Sequence, residues 1–298
     1  MATPMETPQT APTLDEVCAK ALSLPCSPTL MPQLLAALHG DDTTAEEIER
    51  IIQMDAALAA ATLRLANSAF YGPREGVEKL EQAIMMLGHK EIYRLATLTM
   101  VSRWEDVHSA TLPWEPGEYA RHALCTALAA EVLADAGGKC DPQVAYTAGL
   151  ICDIGKLVLA YVCAPFYPMI SAWARNDAHT WEEAERTILG YDNAEVGARL
   201  LRAWHFPEKF SQLIEFQLRP EEAPIEVMPL LADLHAAKYL AVSLGPGVTD
   251  GGFLFSLHGA FLTEWGFTTE YLEEAMIEVR DRAVRRMGDR LSHGAFKV

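Results

Sequence analysis

None of the six cysteines, Cys18, Cys26, Cys125, Cys140, Cys152 and Cys163, belongs to a CxxC pair. Six in 298 residues is also far below the density of a disulfide-stapled scaffold, so they read as reduced, mostly packed thiols. No run of about 18 consecutive apolar residues offers a membrane span. The stretch from Met1 to Thr13 is rich in Thr and Pro and lacks the basic start and apolar core of a secretion signal. A cytoplasmic protein with no membrane partner is expected. Alternating β-branched runs are scarce, which argues against sheet. Positive charge is in short supply too: 24 Lys and Arg face 41 Asp and Glu, for a net charge of -17. Such a surface repels phosphate backbones, and direct nucleic-acid binding is not expected. The local cluster Arg280, Arg282, Arg285, Arg286 and Arg290 is interleaved with Glu278, Asp281 and Asp289 and reads as a solvated helix face. No HExxH or Gly-x-Ser-x-Gly is present, and the Gly-rich Gly245–Phe253 stretch lacks the Lys-Ser/Thr of a phosphate loop.

What remains is helical periodicity from Thr29 onward. Leu30, Leu34, Leu35 and Leu38 line one helix, and Thr44 with Glu47 forms a capping box for the next. The Ala- and Leu-rich span Ala56–Asn67 reads as a helix buried on most sides. NSAFYGPREG, Asn67–Gly76, reads as an ordered loop with anchored aromatics. Helices resume near Val77, with Gly88 breaking them, until Glu105–Gly117, where Pro113 and Pro116 interrupt the pattern. These signals predict a tail over residues 1–13, a helical lobe over 14–110, a second helical lobe over 117–244, and C-terminal helices over 245–298 packed on the rest. In the second lobe Pro142–Val162 reads as one helix and Thr180 with Glu183 as another capping box. Trp204, Phe206 and Pro207 read as packing at a helix junction.

The stretch AGLICDIGKLVLA, Ala148–Ala160, carries the chemistry. Asp153 and Lys156 stand among Leu150, Ile151, Ile154, Leu157 and Val158, and a buried carboxylate must find a partner, a proton or a metal. Either Asp153 pairs with Lys156 at i, i+3, or the two mark a site.

GLxxDIGK resembles the signature of HD-domain phosphohydrolases, with Cys152 where a histidine is expected. LPCSPTLMPQLL (24–35), MDAALAAATLRLANSAFYG (54–72), LEQAIMMLGHKEIYRLA (80–96) and AERTILGYDNAEVGARLLRAWHFPE (184–208) resemble the HDOD family, the HD-related output domains. The resemblance spans Leu24–Leu244. It implies an all-α fold: a two-lobed helical bundle with an HD-domain-like second lobe. It places His122 at the first histidine of the HD metal set, Asp153 at the HD aspartate and Asp233 at the terminal aspartate. Cys152 replaces the HD histidine, Asn193 replaces a histidine after a Gly-x-Asp turn, and Phe216 and Gln217 replace tandem histidines. His122, Asp153 and Asp233 alone would hold a divalent metal weakly and unselectively, so no cofactor is expected.

The pocket at His122, Cys152, Asp153, Lys156, Asn193, Phe216, Gln217 and Asp233 is therefore expected to be vestigial, with no catalytic residue. The resemblance implies a non-catalytic signalling or output module that docks onto a protein partner through its first lobe, the NSAFYG loop or the cleft between lobes. The alternatives are a metal-dependent phosphohydrolase or phosphodiesterase, and a sensor that binds a nucleotide or cyclic dinucleotide with Lys156 and Arg121 on phosphate. A zinc site from His122, Cys125 and Cys152 is weighed against plain thiol packing, and packing is favoured. His39, His89, His108, His179, His205, His235, His258 and His293 are scattered and are assigned no role.

Overall fold

The computed structural model describes residues 10–22, 33–34, 37, 44–68, 71, 76–108, 114–115, 117–174, 180–245 and 256–287, and among them there are helices and no strand. Most of the Leu30–Leu38 helix, of the NSAFYGPREG loop and of the Gly245–Phe253 connection lies outside the described residues. Leu34 is buried, however, and the base of the loop is closed by Asn67. Its amide donates to the carbonyls of Leu63 and Val77 at 2.9 and 2.8 Å, and its Oδ1 accepts from the Val77 N–H at 2.7 Å. Tyr71 packs partly buried against the core.

α1 (Leu14–Leu22) is followed by α2 (Ala45–Gln53), α3 (Ala56–Ala66) and the long α4 (Leu80–His108). Thr44 and Glu47 form the expected capping box at α2. Gly88 interrupts α4 with φ 75° and ψ 163°, a conformation that glycine adopts without strain. α4 then runs on to His108, past the expected breakdown at Glu105. α3 is one-sided rather than central: Leu58, Ala61, Thr62 and Ala66 are buried while Ala60 and Arg64 are exposed.

The central position belongs to α5 (Glu118–Gly137), whose Ala- and Leu-rich surface is buried on nearly every side from Ala123 to Ala134. It packs on α4, on α6 (Pro142–Ile151), on α12 (Met228–Ser243) and on α14 (Thr269–Met287). The stretch 142–162 is long and apolar enough by composition to cross a membrane, which the residue-by-residue reading did not anticipate. Yet 94% of its most apolar window is buried inside the protein, so it serves as core. Nor is it one helix, since it breaks at Cys152–Asp153 into α6 and α7 (Ile154–Val162).

The chain continues through α8 (Tyr167–Ala174), α9 (Trp181–Leu189), α10 (Asn193–Ala203), α11 (Glu208–Phe216), α12, α13 (Gly259–Glu264) and α14. Thr180 and Glu183 again form a capping box. Trp204, Phe206 and Phe210 pack in series at the α10–α11 junction, 6.5 and 6.2 Å between ring centroids, the first pair tilted and the second edge to face.

Contacts tie both ends of the described chain to the second lobe. Residues 10–13 are an ordered start rather than tail: Tyr191 Oη donates to the Pro12 carbonyl at 2.7 Å, and Thr13 caps α1 through Glu16. α1 itself packs on α7 and α10 of the second lobe, with Asp15 paired to Arg199. At the other end, Leu272, Ala275, Val279 and Ala283 form the buried stripe of α14. That stripe packs on α5 and α12, while Arg280 and Asp281 are exposed and Glu278 and Arg282 are partly so.

The lobes meet where α4 crosses α5 and α6. Thr147 hydrogen-bonds Tyr93 Oη at 2.8 Å, Arg94 pairs with Glu131 and lies 5.1 Å from the Tyr146 ring, and Lys90 reaches Glu131 at 2.8 Å. At this crossing the space between the lobes is filled, not an open cleft.

Candidate functional site

Two glycines bring the site together. A Cβ on Gly149 would lie 2.7 Å from the Ala127 Cα, so α6 touches the backbone of α5, which carries His122. A Cβ on Gly155 would lie 1.8 Å from the Asn193 carbonyl oxygen, so the start of α7 presses on the first residue of α10. Between them Asp153 takes φ -98° and ψ 16° at the α6–α7 break and makes no capping bond. Its carboxylate turns into the protein instead.

There Asp153 Oδ2 lies 3.3 Å from His122 Nε2, and Oδ1 lies 3.1 Å from Lys238 Nζ on α12. Lys238 also donates to Gln217 Oε1 at 3.0 Å, and Gln217 Nε2 donates to the Cys152 carbonyl at 2.8 Å. All five residues are at most 2% exposed. Burial alone would raise the Asp153 pKa, but Lys238, His122 and Lys156 together hold it well below the usual carboxylate range. Burial opposes the charge on Lys238, yet Asp153 keeps its pKa above the ordinary lysine value.

A second buried cluster adjoins the first. Glu185 of α9 accepts from the backbone and side-chain N–H groups of Asn193 at 2.8 and 2.7 Å, and from Trp181 Nε1 at 3.0 Å. Burial pushes the Glu185 carboxyl up to about 7, against the pull of the Lys156 charge. Lys156 thus lowers the pKa of both Asp153 and Glu185. Asp153 pairs with Lys238 of a distant helix, and the Lys156 charge adds to that pull. Asp192 caps α10 through the Glu195 N–H at 2.9 Å and pairs with Arg186 at 2.7 Å.

The remaining expected site residues fall elsewhere. Asp233 does not enter the pocket. It faces Cys140 and Lys139, where burial pushes it up to about 6, and Lys238, about 140° further round α12, takes the place facing Asp153. Phe216 ends α11 as a partly buried core residue. The Cys152 thiol donates to the Gly149 carbonyl at 3.2 Å, and burial raises its pKa well above the usual thiol value. Cys125 is pushed up to about 12 by burial. Both behave as packed thiols. Arg121 lies against Gly117, and the depth of Lys156 keeps it from solvent phosphate. His235 and His258 gain a structural role: the His258 N–H donates to His235 Nε2 at 3.0 Å, and His258 Nδ1 meets Glu221 at 2.7 Å. They pin the chain entering α13 to α12.

The sequence reading missed Lys238 and Glu185, although both carried a signal. Each is a charged residue at a core register of its helix, Lys238 after Leu231 and Leu234, and Glu185 between Trp181 and Leu189.

The donor set is a poor match for the divalent ion of an HD centre. Among the described residues no three His, Cys, Asp or Glu side chains are grouped as ligands, and an ammonium already stands against Asp153 and Gln217. Helix order and this His–Asp–Lys core define an all-helical protein whose second lobe is an HD-like bundle. The chain matches the HDOD domain over residues 24–220 and belongs to the HDOD family. It is similar to an HDOD domain protein of unknown function from Geobacter sulfurreducens, with a TM-score of 0.72, 18% identity, and 96% and 98% of the two chains covered. It is also similar to a Shewanella amazonensis SB2B protein provisionally named a phosphohydrolase, with a TM-score of 0.66, 25% identity, and 92% and 97% covered. An uncharacterized protein of Treponema pallidum (strain Nichols) is 26% identical over 221 residues, 70% of this chain and 40% of that protein. The chain thus spans about two fifths of the length of that curated relative.

Proposed function

We infer that this chain is a regulatory output module that works through protein contacts and turns over no phosphoester. One observation carries that reading: the Asp153 carboxylate, which a hydrolytic centre would need for a metal, is committed to Lys238 and His122 inside a closed, buried network. A hydrolytic metal centre needs an open coordination position and a bound water of lowered pKa, and a lysine ammonium offers neither. The Shewanella amazonensis relative named a phosphohydrolase supports the rival reading.

The first lobe is the face offered to a partner. Met54 and Met85 are 65% and 61% exposed, and a hollow of about 420 Å³ is lined by Gln33, Ala37, Glu47, Arg50 and Ile51. Exposed methionines adapt to varied apolar surfaces. The deciding measurement is product formation from phosphomonoesters, phosphodiesters, nucleotides and cyclic dinucleotides with added Mn²⁺, Mg²⁺, Fe²⁺ or Zn²⁺. No turnover above the blank is expected. Turnover that disappears in Asp153→Ala would establish the enzyme instead, and ligand-dependent thermal stabilisation without product would establish the sensor.

A further inference from the structure

We propose that Lys238 is the pocket's resident cation: its ammonium does the charge-neutralising work of a metal ion, and shortening it uncovers a divalent-metal site at His122, Asp153 and Gln217. The inference rests on the functional reading above and gives the eroded site a chemical reason for its state.

The α6–α7 break and the end of α11 meet the ammonium that α12 carries. Asp153, at the α6–α7 break, and Gln217, just past α11, place oxygens 3.1 and 3.0 Å from it, while α12 supplies the lysine. Gln217 is aimed by its own bond to the Cys152 carbonyl at 2.8 Å, which leaves Oε1 facing the cation. His122, from α5, faces the other oxygen of Asp153 at 3.3 Å. A carboxylate oxygen, an amide oxygen and an imidazole nitrogen around one buried negative charge are donors suited to Mn²⁺ or Zn²⁺. Lys238 bars an ion by filling the space beside Asp153, and it adds to the Lys156 charge in repelling a second cation in a medium where charge is poorly screened. The Cys152 thiol is turned to the Gly149 carbonyl at 3.2 Å.

The test is Mn²⁺ binding by wild type and four variants, read by loss of the free-ion electron paramagnetic resonance signal and by thermal unfolding in EDTA against a Mn²⁺ series. Wild type is expected to bind no Mn²⁺ at 1 mM, on the order of the weakest metal sites. Lys238→Asp, which removes the ammonium and adds a carboxylate, is expected to bind about one ion per chain, at least ~10-fold more tightly than wild type. Its Tm should rise by about 5 °C at ion concentrations near 100 times Kd. Lys238→Ala should bind more weakly. Lys238→Met, which refills the space without charge, should bind none, and Lys238→Asp combined with Asp153→Asn should lose the ion. If both shortened variants are unfolded in EDTA, recovery of the helical signal on adding Mn²⁺ is the expected result, and failure to recover overturns the proposal. If the wild type and both shortened variants all bind nothing, Lys238 is not a metal substitute, yet the non-catalytic reading stands. Stoichiometric Mn²⁺ in the wild type would overturn the proposal, and turnover with that ion would overturn the functional reading as well.

Discussion

Replacing Asp153 by Asn should destabilise this protein by about 4 kcal/mol, because it strands the Lys238 ammonium at a site 2% exposed or less. The direct attraction across 3.1 Å is about 5 kcal/mol at an effective dielectric of 20. Much of that only offsets the desolvation of both ions. The loss on breaking the pair is larger than the net worth of the pair, since an uncompensated charge remains buried; such losses run about 3–5 kcal/mol. Lys238→Met strands Asp153 in turn, but His122 and Lys156 still face that carboxylate, so a smaller loss of about 3 kcal/mol is expected. With both ions removed neither charge is stranded, and the double variant should be no worse than Asp153→Asn, leaving a coupling of at least about 3 kcal/mol. Urea unfolding at pH 7.5 with EDTA, followed by circular dichroism and by tryptophan fluorescence, gives the cycle, and coincident transitions check the two-state assumption. A metal centre behaves oppositely. Without its ion such a centre holds unbalanced negative charge, and neutralising the aspartate costs nothing or stabilises. An Asp153→Asn variant within about 1 kcal/mol of wild type, or a coupling below about 1 kcal/mol, would refute the reasoning.

Gly155→Ala should cost at least about 3 kcal/mol, because the new methyl carbon meets the Asn193 carbonyl at 1.8 Å and both partners are backbone; an unchanged urea midpoint would contradict the α7–α10 contact. Glu131→Ala should cost about 2 kcal/mol, because buried Arg94 loses one of its two carboxylate partners and keeps Glu91, and hydrogen exchange should rise in α4 first. Glu185, with its folded pKa raised to about 7, binds its proton more tightly in the folded state. It therefore lowers stability as pH rises from about 4.5 to 7, by about 3 kcal/mol in all. Glu185→Gln should remove that decline, so that the difference in unfolding free energy between the variant and wild type shifts in the variant's favour by that amount between pH 4.5 and pH 8. An unchanged difference would refute it.

Local chemistry made much of this fold legible. Gly88 breaks its helix because the conformation needed there suits glycine alone. Thr44 and Thr180 each stand three residues before a glutamate, so the capping boxes announced α2 and α9. Asp153 was legible as a problem, since a carboxylate among Leu and Ile must be compensated. Its solution was not, because the partner lies 85 positions along the chain, and only the rotation of α12 decides that Lys238, not Asp233, points inward. The break at Cys152–Asp153 was hidden for a related reason. Apolar residues continue through it without a change of period, and what bends the chain is the tertiary contact of Gly155 with α10.

The buried charges bear on how such a module could signal. Well-packed apolar side chains in place of a buried ion pair are often as stable or more so, so stability alone does not account for Asp153, Lys238, Lys156 and Glu185. Their hydrogen bonds do something that apolar packing does less well, which is to admit one register. Asp153, Gln217 and Lys238 fix the α6–α7 break, α11 and α12 to one another, and Glu185 fixes α9 to α10 through two bonds to one residue. A shift of one helix by a turn would strand several charges at once. These bonds lie within the second lobe, whereas at the α4 crossing Lys90 is 44% exposed beside Glu131, so water can replace part of that contact. If a partner engages the first lobe as proposed, the Arg94–Glu131 pair is the contact at this crossing through which the second lobe would register it.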